Sequence, residues 1–233
     1  MGRVLAKLAI VAIWVSVAYG CATPIPSADA IRALPAASPP RDTAAMPDTS
    51  VAAVTPPGFI SFCVRFADQC DAPQHAPSTV ALTESAWRTM QQVNAASNAA
   101  IWAEDDAVHY GRAEYWTIPT DGYGDCEDYA LAKRKELIAA GFPEPALRIA
   151  IVVTPREARH AVLTVVTDKG DFVLDNLRND VVAWNAAGYN WIERQDPMRP
   201  LGWVSLQQPA TMVAIGDASR QPRAAGETMA GPR

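Results

Sequence analysis

The sequence has no excess of positive charge, and this absence limits the range of partners. The 233 residues contain 20 Lys and Arg against 25 Asp and Glu, which gives a formal net charge of −5 and a pI near 5.2. A general nucleic-acid-binding protein normally presents a basic surface, so we predict that nucleic acid is not a partner. The chain also contains neither an internal repeat nor a run of like charge.

The chain has no apolar run of the length that a permanent membrane span requires. The most continuous run covers residues 8–17, whereas a spanning helix needs about 20 residues. Arg3 and Lys7 precede this run and small residues follow it, which is the pattern of a secretory signal peptide. Residues 18–21 also resemble a bacterial lipoprotein box, in which Cys21 would carry the lipid. We therefore expect export, and leave open a cleaved signal, an uncleaved anchor or a lipid anchor.

Proline-rich and alanine-rich segments flank one region that is able to fold. After the predicted signal peptide at residues 1–22, residues 23–57 carry eight prolines and little that would pack, so we predict a disordered spacer. Residues 208–233 are rich in Ala, Gly and Pro, and we predict a second disordered segment there. The folded domain would then cover residues 58–207, close to the commonest domain size.

Helices are predicted first along this domain, and strands follow. Apolar spacing predicts a helix over residues 82–101, capped by Thr83, and a second helix over residues 126–140 that ends before Gly141. Short β-branched and apolar runs then predict strands at residues 147–153, 161–167, 172–174, 181–184, 191–194 and 203–206. Helices followed by an antiparallel sheet indicate an α+β domain.

A single cysteine lies at the start of the second predicted helix. Cys126 follows a glycine-punctuated turn, so its sulfur would face unpaired backbone N–H groups and the positive end of the helix dipole. Both favour a thiolate, and the same N–H groups are suited to a developing oxyanion. The alternative is a small buried hydrophobic residue, which the flanking acids Asp125, Glu127 and Asp128 disfavour. We predict that Cys126 is a nucleophile.

The chain has only three histidines that would serve as a base for this thiol. His75 lies in a proline-flanked loop and His109 in a polar stretch, whereas His160 begins a strand, where a general base is held rigidly. Asp175 ends the other arm of a hairpin around residues 168–170, although the register decides whether both side chains share a face. An Asp that accepts the imidazole N–H fixes the tautomer. We predict that His160 and Asp175 complete a triad with the cysteine.

Two further cysteines, Cys63 and Cys70, are predicted to form a disulfide. An oxidising compartment permits the bond, and the six residues between them are enough for the chain to turn back. The alternative is a pair of reduced thiols in a local core. The pairing would leave Cys126 as a free thiol.

The order of these motifs resembles the bacterial transglutaminase-like cysteine peptidase family. Residues 124–129, Gly-Asp-Cys-Glu-Asp-Tyr, resemble its nucleophile segment. Six further segments of this chain resemble the other blocks of the family. In chain order they are Phe62-Cys63-Val64-Arg65, Asp121-Gly122, Gly141-Phe142-Pro143, His160-Ala161-Val162-Leu163, Val173-Leu174-Asp175-Asn176 and Gly202-Trp203-Val204. The likeness covers essentially the whole predicted domain.

This resemblance implies a fold, a reaction and a compartment. The fold would be papain-like, with the nucleophile at a helix start and the N-terminal helices packed on an antiparallel sheet. His160 would take the thiol proton, Cys126 would attack a carbonyl, and an acyl-enzyme would form without a required cofactor. The family is similar to periplasmic proteases that release a biofilm adhesin, which implies a periplasmic location and a protein substrate such as a cell-surface protein.

The resemblance also implies a calcium site, since related members bind calcium beside the nucleophile. The candidate ligands are Asp125, Glu127 and Asp128. The alternative is that nearby cations neutralise these acids, or that the acids are solvated and cap the helix N-terminus. The candidate cations are Lys133, Arg134 and Arg159.

Three questions stay open at this point. Water would resolve the acyl-enzyme in a peptidase and an amine in a transglutaminase-like enzyme, and the same triad serves both. Other classes are a non-catalytic binding module on the same fold and a metal site that uses the triad residues with His109. The second oxyanion donor is not identified, and its candidates are Trp116, Asn94 and Asn98.

Overall fold

The computed structural model describes residues 38–40, 43–47, 49, 51–70, 76–199 and 201–207. The predicted signal peptide, the predicted C-terminal tail, most of the spacer and His75 lie outside these residues. Within them, no helix combines the length and the apolar character that crossing a membrane requires.

The described part of the chain contains four α-helices and nine strands. Helices α1 to α4 span Pro57–Arg65, Glu84–Ala100, Asp106–His109 and Cys126–Ala139. Strands β1 to β9 span Ala52–Ala53, Trp102–Ala103, Tyr123–Gly124, Leu147–Val153, Arg159–Thr167, Gly170–Leu174, Val182–Ala183, Asn190–Gln195 and Trp203–Ser205. Short 3₁₀ turns cover Ala67–Gln69, Glu144–Ala146 and Trp184–Ala186.

Seven of the strands form one antiparallel sheet in the order β1-β9-β8-β4-β5-β6-β7. Strands β4 and β5 lie at its centre, where their β-branched and apolar side chains are buried. Strands β2 and β3 form a separate parallel pair. Helices packed with an antiparallel sheet make this an α+β domain, as the order of helical and strand patterns predicts.

Helix α1 anchors one side of the core, although the sequence analysis did not predict it. It begins at Pro57, and proline is favoured in the first helical position because its missing N–H would be unpaired there. Phe59 is fully buried, with its ring centroid 5.8 Å from that of Trp116 and 5.7 Å from that of Trp203. Both contacts are edge-on, the geometry that aromatic pairs prefer.

Helix α4 runs through the core and is buried on almost every side. Its apolar residues, such as Leu137, join the main hydrophobic cluster. Four of its charged side chains are buried as well, namely Glu127, Asp128, Lys133 and Arg134. A buried charge costs several kcal/mol unless it finds a partner, so the neighbours of these four side chains bear directly on the function.

The segment before α1 packs on the sheet, although we predicted a disordered spacer over residues 23–57. The N–H of Thr43 donates to a carbonyl of the β5–β6 turn over 2.8 Å, and the carbonyl of Ala44 accepts the indole N–H of Trp184 over 2.8 Å. A Cβ on Gly170 would lie 2.5 Å from the Thr43 carbonyl oxygen, so only glycine leaves room for this segment. The ordered domain therefore begins before residue 58.

Cys63 and Cys70 are joined by a disulfide, and this bond yields the first testable prediction. The double variant Cys63→Ser/Cys70→Ser should lower the free energy of unfolding by about 2 to 3 kcal/mol, because the bond closes a loop of about eight residues in the unfolded chain. Urea denaturation under oxidising conditions measures the difference. Equal stability of the variant and the wild type would contradict a stabilising role for this bond.

Candidate active site

A buried His–Asp pair lies at one end of the central hairpin. His160 is the second residue of β5, and Asp175 follows β6 directly. The two residues are 2% and 1% exposed, and His160 Nε2 lies 2.8 Å from Asp175 Oδ1. A hydrogen bond from Nε2–H to this carboxylate leaves Nδ1 as the imidazole nitrogen that is able to accept a proton.

Asp175 accepts further hydrogen bonds that keep it ionised. The Tyr189 hydroxyl donates to Oδ2 over 2.5 Å, and the backbone N–H of Leu177 donates to Oδ1 over 3.0 Å. Burial alone would raise the pKa of Asp175, but the bond with His160 and its charge, together with these donors, lower the pKa to about 2. The carboxylate is therefore negative at any physiological pH and is able to orient the imidazole.

Two buried asparagines of α2 hold the loop that carries Asp175. Asn94 donates to the carbonyls of residues 178 and 179 over 3.0 and 3.1 Å, and its own amide oxygen accepts the Asp175 N–H over 3.0 Å. Asn98 donates to the Asp175 carbonyl over 3.0 Å. The Trp116 indole N–H is likewise bonded to a carboxylate. All three candidates for the second oxyanion donor therefore have other partners, so none is available for that role in this structure.

Cys126 begins helix α4, next to Asp125 in the N-cap position. Its side chain is buried, and its Sγ lies 3.1 Å from Glu127 Oε2. The prediction of a free thiol is wrong for this structure, because Cys126 is disulfide-bonded and none of the described cysteines is free. A disulfide sulfur carries no proton, so a hydrogen bond to Glu127 requires the reduced form.

Three acidic side chains converge beside Cys126. Oxygens of Asp106, Asp125 and Glu127 lie within 4.8 Å of one another. Among the described atoms, one oxygen of Asp106 and one of Asp125 are buried without a hydrogen-bond partner. Asp128, which we predicted as a ligand, lies outside this trio: its Oδ1 accepts the Thr117 N–H over 2.7 Å, and its other oxygen is buried and unpaired.

Burial and mutual repulsion disfavour the charged forms of these acids. Burial raises the pKa of Asp125 to about 6, with Asp106 as the next cause, and raises the pKa of Asp128 to about 9. The pKa values of Glu127 and Asp106 are raised as well, again mainly by burial. Carboxyl groups with unpaired oxygens and raised pKa values are suited to bind a divalent cation. Its positive charge would offset both the cost of burying the carboxylates and the repulsion between them.

Two of the three cations considered as neutralising partners have other contacts. Arg134 forms an ion pair with Glu144, and Arg159 Nη2 lies 3.9 Å from Glu193. His109 is likewise engaged elsewhere, since its Nδ1 lies 2.9 Å from Glu104 and its Nε2 lies 2.8 Å from Asp121. These contacts argue against a metal site built from His109 and the triad residues.

Asp106 is the site residue that the sequence analysis missed. It begins helix α3, 19 positions before Asp125, and nothing in the local pattern distinguishes it from its neighbour Asp105. The backbone N–H of Asp106 donates to Asp125 Oδ2 over 3.3 Å. Tertiary packing alone brings the two carboxylates together.

The hydrogen bonds that the α2 asparagines form with the Asp175 loop generate a second prediction. Asn94→Ala should lower the free energy of unfolding by about 2 to 4 kcal/mol, because it leaves a buried N–H and two carbonyls without their partner. Ser97→Ala, at another buried position of the same helix, is the matched control and should cost less than about 1 kcal/mol. Chemical denaturation measures both, and equal losses would contradict a special role for Asn94.

Comparisons with known proteins follow the same motifs. A profile of the family described as "Bacterial transglutaminase-like cysteine proteinase BTLCP" matches residues 49–211. A search of curated proteins found no match.

Solved structures of LapG from Legionella pneumophila are similar to parts of this chain. The EGTA-treated protein is 28% identical, with a TM-score of 0.41, over 46% of this chain and 61% of that one. A further LapG structure is 27% identical, with a TM-score of 0.43, over 48% and 65%. The calcium-bound protein is 24% identical, with a TM-score of 0.45, over 55% and 74%. The chain thus spans less than two thirds of the first of these proteins.

The family match covers most of the chain and confirms the resemblance that the motif order indicates. This protein belongs to the bacterial transglutaminase-like cysteine proteinase family.

Proposed function

We propose that this chain is an exported, periplasmic cysteine peptidase that hydrolyses a protein substrate, such as a cell-surface protein, through Cys126, His160 and Asp175. The observation that supports it most is the buried His160–Asp175 hydrogen bond of 2.8 Å. A binding module has no need of an ionised carboxylate that orients an imidazole. The family match supports the same class of chemistry.

The reaction would proceed through an acyl-enzyme. The reduced Cys126 thiol gives its proton to Nδ1 of His160, and the sulfur attacks the scissile carbonyl carbon. Backbone N–H groups at the start of α4 stabilise the oxyanion, and the imidazolium then protonates the leaving amine. Water, deprotonated by His160, attacks the thioester and releases the acid. Asp175 stays ionised and holds the imidazole throughout.

The chemistry of Cys126 sets a condition on this reaction. A sulfur in a disulfide cannot form a thioester, because the nucleophile is the thiolate. The proposed reaction therefore requires Cys126 as a reduced thiol. Assays need a mild thiol reductant, and the state of the Cys63–Cys70 bond is followed separately by mass spectrometry.

Hydrolysis and amine transfer share the same acyl-enzyme, and we propose hydrolysis. An exported enzyme works in a compartment rich in water and poor in amines. The alternative is a transglutaminase-like reaction in which a substrate amine attacks the thioester. Incorporation of a labelled primary amine into protein, in place of new chain ends, would favour the alternative.

We also propose that Asp106, Asp125 and Glu127 hold a divalent cation, with calcium preferred over zinc because all three ligands are hard oxygens. When bound, the cation would supply positive charge beside Cys126. This charge would offset the repulsion between the carboxylates and a thiolate. Asp128 would remain a structural residue bonded to the backbone, packed against Gly124, where a Cβ would lie 2.8 Å from its side chain.

The nucleophile generates a third prediction. Cys126→Ala should abolish the release of new protein N-termini from cell-surface preparations, with a melting temperature that stays within a few degrees of the reduced wild type. His160→Gln should lose activity as well, because the thiol then lacks its base. Terminal proteomics of the treated preparations measures both. Cleavage that persists with Cys126→Ala would refute the mechanism.

The acidic trio generates a fourth prediction. Calcium should raise the melting temperature of the wild type, because it binds the folded state alone. Asp106→Asn should weaken this response, whereas Asp105→Asn, at the adjacent position outside the trio, should retain it. Thermal unfolding in calcium, magnesium and a chelator measures the response. An identical calcium response in both variants would contradict the proposed ligand set.

A further inference from the structure

Trp102 is a large aromatic residue that the fold leaves in solvent. It is 69% exposed, and among the described residues its indole has neither a hydrogen-bond partner nor an aromatic partner. Trp102 is paired with Tyr123 across strands β2 and β3, and Tyr123 is 43% exposed. Side chains of directly paired residues leave a sheet on the same side. The two rings therefore form one exposed aromatic surface, and such a surface is typical of a binding site.

Two carboxylates lie on the same face as these rings. Glu104 follows Trp102 by two positions, and its N–H continues the β2–β3 ladder by donating to the Gly124 carbonyl over 3.1 Å. Residues two apart on an extended strand share a face. Asp121 is held there by His109, whose Nε2 lies 2.8 Å from the Asp121 carboxylate and whose Nδ1 lies 2.9 Å from that of Glu104.

The His109 ring also contacts the aromatic surface, because its centroid lies 5.6 Å from that of Tyr123. The imidazole thus fixes both carboxylates next to the rings. We call the four side chains of Trp102, Tyr123, Glu104 and Asp121 the aromatic–acidic face.

The aromatic–acidic face is suited to a cationic side chain. A protonated His109 contributes one positive charge against two carboxylates, so the face remains negative in either state of the imidazole. The side chains of Glu104 and Asp121 are 34% and 49% exposed, which leaves oxygens open to a ligand. A Lys or Arg side chain would lie over an indole ring and close to a carboxylate, and both contacts attract it.

The aromatic–acidic face continues toward the proposed nucleophile. Tyr123 precedes Cys126 by three residues, a distance that an extended chain covers in about 10 Å. Asp125, in the N-cap position of α4, follows Tyr123 by two positions in extended backbone, so both side chains leave the chain on the same side. A bound substrate strand advances about 3.3 Å per residue. A side chain on this face would therefore belong to a residue roughly two to four positions from the scissile bond.

We propose that the aromatic–acidic face is a specificity subsite that binds a Lys or Arg side chain of the protein substrate, a few residues from the scissile bond. The proposal rests on the proposed function and narrows its substrates to extended segments that carry a basic residue. Trp102 is the main contact, since it is the most exposed of the four side chains and has no other partner among the described residues. His109 is a positioning residue that orders the two carboxylates.

Cleavage of a mixed peptide library tests the subsite. Peptides from a bacterial proteome are prepared by cleavage after Glu, so that Lys and Arg stay internal, and are incubated with the reduced full-length chain. Mass spectrometry of the new N-termini should show Lys or Arg enriched about two- to fivefold at one position within about four residues of the cut, as an exposed cation–π contact supplies. Trp102→Ala should remove this enrichment, and Trp102→Tyr should retain part of it.

Val64→Ala is the matched control, because Val64 is an exposed apolar residue of α1, outside this face. It should keep the full enrichment. A wild-type profile without a basic preference, or an equal preference in Trp102→Ala, would overturn the subsite.

A binding measurement tests the same face without catalysis. In ¹⁵N-labelled Cys126→Ala, the Trp102 indole N–H signal is assigned by its loss in the additional variant Trp102→Tyr. A tri-lysine peptide should shift this signal and a tri-glutamate peptide should not, and salt at about 0.5 M should weaken the shift because it screens the carboxylates. No shift with either peptide, or equal shifts with both, would overturn the subsite. Absence of cleavage by the wild type would instead contradict the proposed function, and the NMR titration then decides the subsite by itself.

Discussion

The hydrogen bond between His160 and Asp175 depends on the parts of the domain that surround it. A carboxylate without water stays ionised only when donors and a positive charge replace its hydration. Tyr189 and a backbone N–H supply donors, while Asn94 fixes the loop from helix α2. The β5–β6 hairpin brings the histidine and the carboxylate to the same end of the sheet. Sheet, helix and loop therefore meet at one ionised side chain.

The start of helix α4 has the opposite electrostatic character. Glu127 and its acidic neighbours bring several carboxyl groups to the place where the proposed mechanism forms a thiolate. The helix dipole favours an anion there, but it is worth about 1 kcal/mol and cannot offset several buried carboxylates. The divalent cation that we propose at this position would reconcile an acidic site with a reactive sulfur.

Local patterns in the sequence predicted most of the regular elements but only part of the site. Strand β4 occupies residues 147–153 as predicted, because a short apolar, β-branched run has few alternatives in a core. We predicted that Pro57 ends the spacer, but it begins a helix, since proline fits the first helical position. Asp106 could not be predicted, because only packing brings it to Asp125. Lys133 was considered as a partner for the acids, and among the described residues its buried amine has no hydrogen-bond partner.

The central claim is that the His160–Asp175 pair activates the thiol of Cys126. The most direct test is the rate at which iodoacetamide alkylates Cys126 in the reduced, folded protein near pH 7, compared with the same cysteine in the unfolded chain. The account predicts faster reaction in the folded wild type, because the thiolate is the reactive form, and slow reaction in folded His160→Gln. A folded thiol that reacts no faster than the unfolded one, or that is unaffected by His160→Gln, would contradict the account.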